Sequence, residues 1–123
     1  MKRIILAALV GVLVSGPVWG AELAPEFHWR CPVKTKKVCN KSGCSNVPPV
    51  ITIEIDCAKS LYSRCDAEGC DNYIAECQTS GNFLIINPTP STQFKADLNG
   101  SAFVDTATLW WGVYISRGQC FPL

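Results

Sequence analysis

Residues 50–57 alternate cleanly. Ile51, Ile53, Ile55 and Cys57 fall on one side of an extended chain, and Thr52, Glu54 and Asp56 fall on the other. That is the pattern of a strand with one buried and one wet face. Shorter strands are expected at 61–65, 73–77 and 83–87. Another is expected at 108–116, where Leu109, Trp111, Val113 and Ile115 share a face. Asn99-Gly100, between 94–98 and 102–106, predicts a hairpin turn, and Ser80-Gly81-Asn82 predicts a turn before Phe83. Residues 87–92 hold Pro88 and Pro90 and predict a loop, because two prolines would damage a central strand. Beyond the first 20 residues no stretch sustains a helical period for three turns. Turn signals recur every 8–12 residues, so the expected fold is all-β, a small antiparallel β-barrel or sandwich.

The first 20 residues follow different rules. Met1-Lys2-Arg3 is a positive start, residues 4–14 are apolar, and Val18-Trp19-Gly20-Ala21 places small residues at a cut. This is the layout of a secretory signal peptide, with cleavage expected after Gly20 and Ala21 as the alternative. The apolar stretch covers about 16 Å as a helix, roughly half a bilayer core, which argues against a membrane anchor. No Cys stands at the cut to carry a lipid anchor, and no later segment is apolar enough to cross a membrane. The expected organisation is a signal helix at 1–20 and one domain at 21–123, secreted or periplasmic.

Cysteine usage agrees with that address. Cys31, Cys39, Cys44, Cys57, Cys65, Cys70, Cys77 and Cys120 all lie in the mature part. Their spacing repeats: Cys31-x7-Cys39-x4-Cys44 recurs 26 residues on as Cys57-x7-Cys65-x4-Cys70. Cys39-Asn40-Lys41-Ser42-Gly43-Cys44 aligns with Cys65-Asp66-Ala67-Glu68-Gly69-Cys70, each with Asn or Asp after the first Cys and Gly before the second. One structural device used twice is the economical explanation. It reads as a hairpin, since Asn and Asp start turns and Gly supplies a left-handed position. With a four-residue loop the two cysteines face each other and can bond across the turn. With a three-residue bulged loop, Asp66 opposes Cys70 and the sulfurs must bond elsewhere. Eight cysteines allow 105 pairings; some local bridges are expected, with Cys120 tied back to the body. Two Cys-x4-Cys pairs could instead hold zinc, but zinc sites favour tighter pairs and export favours oxidation. No Cys-x-x-Cys redox motif is present.

Charge excludes some partners. The chain has 11 basic and 10 acidic residues and a formal net charge of +1, and losing Lys2 and Arg3 leaves a small negative balance. A polybasic nucleic-acid tail, an acidic tail and a charge-rich disordered chain are therefore not expected. Charge is uneven all the same. Arg30, Lys34, Lys36, Lys37 and Lys41 make one segment basic, and residues 54–76 are acidic. The basic run could meet an anionic partner such as a surface polysaccharide or lipid; as a bland alternative it is one solvated strand face. Trp110-Trp111 could stack on sugar, although one of the two is expected in the core.

Catalytic constellations are sparse. His28 is the only histidine, beside Phe27 and Trp29. Glu54 and Asp56 point the same way on one strand, and glycosidase chemistry would need two carboxylates facing each other across a cleft. Asp66, Glu68 and Asp71 crowd one turn but lack the oxygen spacing of a calcium loop. Asn40-Lys41-Ser42 and Asn99-Gly100-Ser101 fit the glycosylation pattern, which matters only in a eukaryotic secretory route. No catalytic, cofactor or metal residues are assigned.

Tyr62-x-Arg64-Cys65-Asp66-x-x-Gly69-Cys70-Asp71-x-Tyr73, Ser80-Gly81-x-Phe83, Lys95-Ala96 and Gly118-Gln119-Cys120 resemble a group of small secreted, cysteine-rich proteobacterial proteins. The resemblance covers most of the mature chain and implies an address and a fold but no activity. A fainter one is to the periplasmic inhibitors of C-type lysozyme, small β-barrels carrying Ser-Gly-x-x-Tyr. Here Leu84 stands in the tyrosine's place, so the inhibitory loop is not carried over. The expected function is a non-catalytic binding or structural domain, with an envelope protein or polysaccharide as partner. A hydrolase inhibitor and a small secreted enzyme are the alternatives.

Overall fold

A computed structural model describes residues 26–123. The signal peptide expected at 1–20 lies outside the described residues. The described chain is almost entirely antiparallel strand, as the alternation predicts. In chain order the strands are β1 (His28–Asn40), β2 (Gly43–Val47), β3 (Thr52–Asp56), β4 (Leu61–Asp66), β5 (Gly69–Ile74) and β6 (Gln78–Ser80). They continue with β7 (Phe83–Thr89), β8 (Thr92–Asp97), β9 (Phe103–Leu109), β10 (Gly112–Gly118) and β11 (Phe121–Pro122).

They form one sheet in the order β5-β4-β3-β1-β10-β9-β8-β7-β6, with β2 and β11 also on β1. The sheet curls into a half-barrel. β1 is its spine, pairing with β3 and β11 along its first half and with β10 and β2 along its second. Between Val33 and Thr35 the register of β1 on β10 shifts by a residue. Such a bulge bends the strand and reverses which side chains face inward. Before it Trp29, Cys31 and Val33 are buried; after it Lys36 and Val38 turn to the concave side, while Thr35 and Lys37 face out. β10 ends against this bend. A β-carbon on Gly118 would lie 2.4 Å from the Pro32 carbonyl and 2.8 Å from the Phe103 ring.

The concave face is the core. Ile53, Ile55, Tyr62, Leu84, Phe94 and Phe103 are fully buried. Phe94 stacks on Phe103 with centroids 5.3 Å apart and meets the edge of Tyr62 at 6.2 Å. Ile53 and Ile55 bear out the inward face expected for residues 50–57, and Cys57 closes it.

All eight cysteines are paired. Cys31–Cys120 and Cys57–Cys77 lie buried at one end, and Cys39–Cys44 and Cys65–Cys70 bridge the two repeated hairpins. The two hairpins are one device. Cys39 directly opposes Cys44, and Cys65 opposes Cys70. Asn40 Oδ1 accepts the Ser42 N–H at 2.8 Å, and Asp66 Oδ1 accepts the Glu68 N–H at 2.8 Å. Gly43 and Gly69 take positive φ, 119° and 136°. The cysteines face each other, as a four-residue loop would place them, but Asn40 pairs with Gly43 and Asp66 with Gly69, so each loop is only two residues.

Three element boundaries differ from expectation. The strand expected at 73–77 is β5, which ends at Ile74. It is the return arm of the Cys65–Cys70 hairpin, and the arm's pairing with β4 is used up at Ile74 opposite Leu61. The loop expected at 87–92 is mostly strand. A register shift between Ile86 and Thr89 takes Asn87 and Pro88 out of the β8 ladder, so the proline's missing N–H is tolerated. The strand expected at 108–116 is two strands joined at Trp110-Trp111, with Leu109 opposite Gly112. Neither tryptophan enters the core: Trp110 is 94% exposed and Trp111 40%.

Candidate functional site

The registers set four turns around one end of the half-barrel. Cys39 pairs with Val113, which brings the β1–β2 turn beside the Trp110-Trp111 turn. Thr92 pairs with Ala107, and the Thr108 N–H donates to the Ser91 carbonyl at 2.7 Å, which brings the β7–β8 turn next. The β4–β5 hairpin runs the same way, since Cys65 opposes Thr52 and Thr52 opposes Pro32. Between them opens a cavity of about 270 Å³, lined by Lys36, Tyr62, Arg64, Tyr73, Thr92 and Tyr114 among others. The two buried disulfides close the opposite end.

A polar network forms the cavity's floor. Asp105 is only 1% exposed. Its Oδ1 accepts the Tyr62 hydroxyl at 2.7 Å, and its Oδ2 accepts Arg64 Nη1 at 2.5 Å. Arg64 Nη1 also donates to the Tyr62 oxygen at 3.2 Å. Lys36 stands across the register from Ser116, which in turn opposes Asp105. Its ammonium lies 4.9 Å from the Tyr114 ring centre, a cation–π arrangement. Tyr114 meets Trp111 edge-on at 5.5 Å, so a run of aromatic surface leads from the cavity to the exposed tip.

Burial dominates the titration of these groups. It drives the Tyr62 phenol well above its usual range, with the Asp105 charge adding to the effect. It raises the Asp105 carboxyl, against the pull of Arg64 and Tyr62. It lowers Lys36, and the nearby Arg64 charge lowers it further. For Arg64 burial acts downward, but Tyr62 and Asp105 outweigh it and the proton is held more firmly. Two cations thus share one carboxylate, and both of that carboxylate's oxygens are already engaged.

The other candidate residues are dispersed. His28 is exposed at the start of β1, eight residues from Lys36, roughly 25 Å along an extended strand. Glu54 pairs with Arg30 at 3.3 Å on the surface, and Asp56 caps the short 3-10 turn after β3 through the Lys59 N–H. Asp66 is occupied by its own turn. The Asn40 and Asn99 side chains also hold turns, accepting from the Ser42 and Ser101 N–H groups. Leu84 is buried in β7. Among the described residues no helix is long and apolar enough to cross a membrane.

The basic run is split by the bulge rather than forming one wet face. Lys36 turns into the cavity. Lys34 and Lys37 stay outside with Arg117 along a convex groove of about 660 Å³, which Lys36 also borders. That groove is larger, but Lys34, Lys37 and Arg117 are exposed there, whereas Tyr62, Arg64 and Asp105 in the cavity are held by hydrogen bonds.

Sequence reasoning did not single out Tyr62, Arg64, Asp105 and Tyr114 as a site. One signal was legible: Phe103 and Asp105 share a strand face, so a charge follows a large aromatic toward the core, and a buried charge needs a partner. No family model, no curated protein and no solved structure matches the chain.

Proposed function

We propose that this chain is a non-catalytic, extracytoplasmic binding domain that holds a polysaccharide of the cell envelope at its open end. The observation that carries the reading is the convergence of four turns on a cavity that continues into solvent as Tyr114, Trp111 and Trp110. Tryptophan at a hairpin tip contributes nothing to the core. Exposed, it provides a flat face for stacking on a sugar ring. Four disulfides support an oxidising compartment, as does the leader read from residues 1–20. The non-catalytic reading rests on the distance of His28 from the cavity and on the engagement of Asp105 by Arg64 and Tyr62.

Co-sedimentation of the secreted, disulfide-bonded protein with insoluble envelope polysaccharide tests this. The wild type should pellet, and Trp110→Ala/Trp111→Ala should stay in solution while still folding cooperatively, its melting temperature lowered only by the lost packing of Trp111 on Tyr114. Equal pelleting of both proteins would remove the reading. Slowed lysozyme digestion upon addition of the protein would favour the inhibitor reading instead.

A further inference from the structure

Charge balance at the open end narrows the ligand. Lys36 and Arg64 face the cavity with Asp105 as the carboxylate between them. Among the described residues the only ion pair drawn from these three is Arg64 with Asp105. Lys36 is half-buried, makes no close ion pair of its own, and shares the Asp105 charge with Arg64 while its ammonium stands over Tyr114. Two cations partly removed from water against one carboxylate are costly, and a fold that keeps them in an open cavity leaves room for a second anion. The Arg64 hydrogen bonds to Asp105 and Tyr62 both leave from Nη1. The guanidinium therefore has further N–H donors for a second acceptor, and its side chain retains 18% of its exposure. The surplus is one positive charge, which suits a single carboxylate. The remaining lining includes the rings of Tyr73 and Tyr114, Pro88, and the hydroxyls of Thr89 and Thr92. About 270 Å³ lies just under the ~300 Å³ at which drug-sized pockets begin, so one small ring fits and the rest of a chain must lie on the rim.

We infer that the open end binds an acidic polysaccharide through the carboxylate of a uronic acid residue, held between Lys36 and Arg64, with neighbouring sugars against Tyr114, Trp111 and Trp110. This rests on the binding reading above and adds to it the chemistry of the ligand. Asp105 orients Arg64 and keeps it charged, and the carboxylate of the sugar completes the balance that the protein leaves open.

The test uses the full disulfide-bonded protein and calorimetric titration with oligosaccharides of galacturonate, mannuronate and glucuronate, each beside its methyl ester. The ester keeps the ring and removes the charge. At least one acid should bind, its ester at least tenfold more weakly. Lys36→Gln should weaken the acid by a similar factor and leave the ester unchanged, Lys36→Arg should retain binding, and added salt should weaken the acid. Acid and ester binding equally well, or Lys36→Gln binding as the wild type does, overturns the inference. If no uronate binds while insoluble envelope polysaccharide still pellets the wild type and not the tryptophan variant, the ligand class is wrong and the binding reading stands. If neither occurs, both fall.

Discussion

Replacing Asp105 by Leu should cost far more than a typical substitution. The carboxylate is 1% exposed and accepts two hydrogen bonds. Its removal leaves the buried Tyr62 O–H without an acceptor and the Arg64 guanidinium beside Lys36 with no anion between them. Breaking a buried pair from one side costs about 3–5 kcal/mol, and an orphaned hydroxyl costs about 1–3 kcal/mol. These overlap, and Arg64 keeps some access to water, so the net loss should be about 3–4 kcal/mol. For a domain of this size that is a fall of roughly 12–32 °C in melting temperature. Non-reducing urea unfolding, followed by far-ultraviolet circular dichroism, should show a midpoint lowered by roughly 2 M. The companion Asp105→Leu/Arg64→Met/Tyr62→Phe removes the three hydrogen-bonded members together and should return to within about 1 kcal/mol of the wild type, because well-packed apolar groups replace a buried pair at little cost and Lys36 can reach water. It should fold and fail to bind. A loss under about 1 kcal/mol for Asp105→Leu, or a triple variant no more stable than the single one, would refute the buried network.

Tyr62 provides a pH test. Its folded pKa lies above the reference value of 10.0, so above pH 10 the unfolded chain releases a proton that the native state keeps. Stability should therefore fall as pH rises past 10, by up to about 1.4 kcal/mol per pH unit, and Tyr62→Phe should lack that component; identical alkaline melting curves would count against it. The Cys31–Cys120 bridge closes 89 residues and Cys39–Cys44 closes 5, so chain entropy gives about 4–5 kcal/mol for the first and about 2 kcal/mol for the second. Paired Cys→Ala variants should melt in that order, and the reverse order would be inconsistent with a fold held at its closed end. Gly118→Ala places a methyl against the Pro32 carbonyl and should cost about 1–3 kcal/mol in the same assay, whereas a neutral result would mean the bulge can move aside.

The repeated cysteine hairpin was legible because every part of it is local. Asn or Asp, Gly and the facing cysteines act within six residues, so spacing specifies the turn. Ile51, Ile53, Ile55 and Cys57 were legible for a similar reason, since a period of two declares which face is buried. The Trp110-Trp111 turn was not legible. It lacks the Asn or Asp that opens the cysteine hairpins, and its two tryptophans read as a continuation of the strand; only the pairing of Leu109 with Gly112 makes it a hairpin. The loop expected at 87–92 failed because a bulge lets Pro88 sit beside a ladder without donating to it.

By itself, the sequence determined the all-β class, the eight-cysteine framework and the two duplicated turns, because those follow from alternation, counting and short-range turn chemistry. The pairing of Cys31 with Cys120 and of Cys57 with Cys77 needed the folded chain, since partners 89 and 20 residues apart share no local signal. The binding site needed it as well. A one-residue register shift at Val33 turns Lys36 rather than Lys37 inward, and the curl of the sheet then brings Lys36 to Arg64 and Asp105. Strand period fixes which residues share a face, but the bulge and the curvature decide which face closes around the cavity.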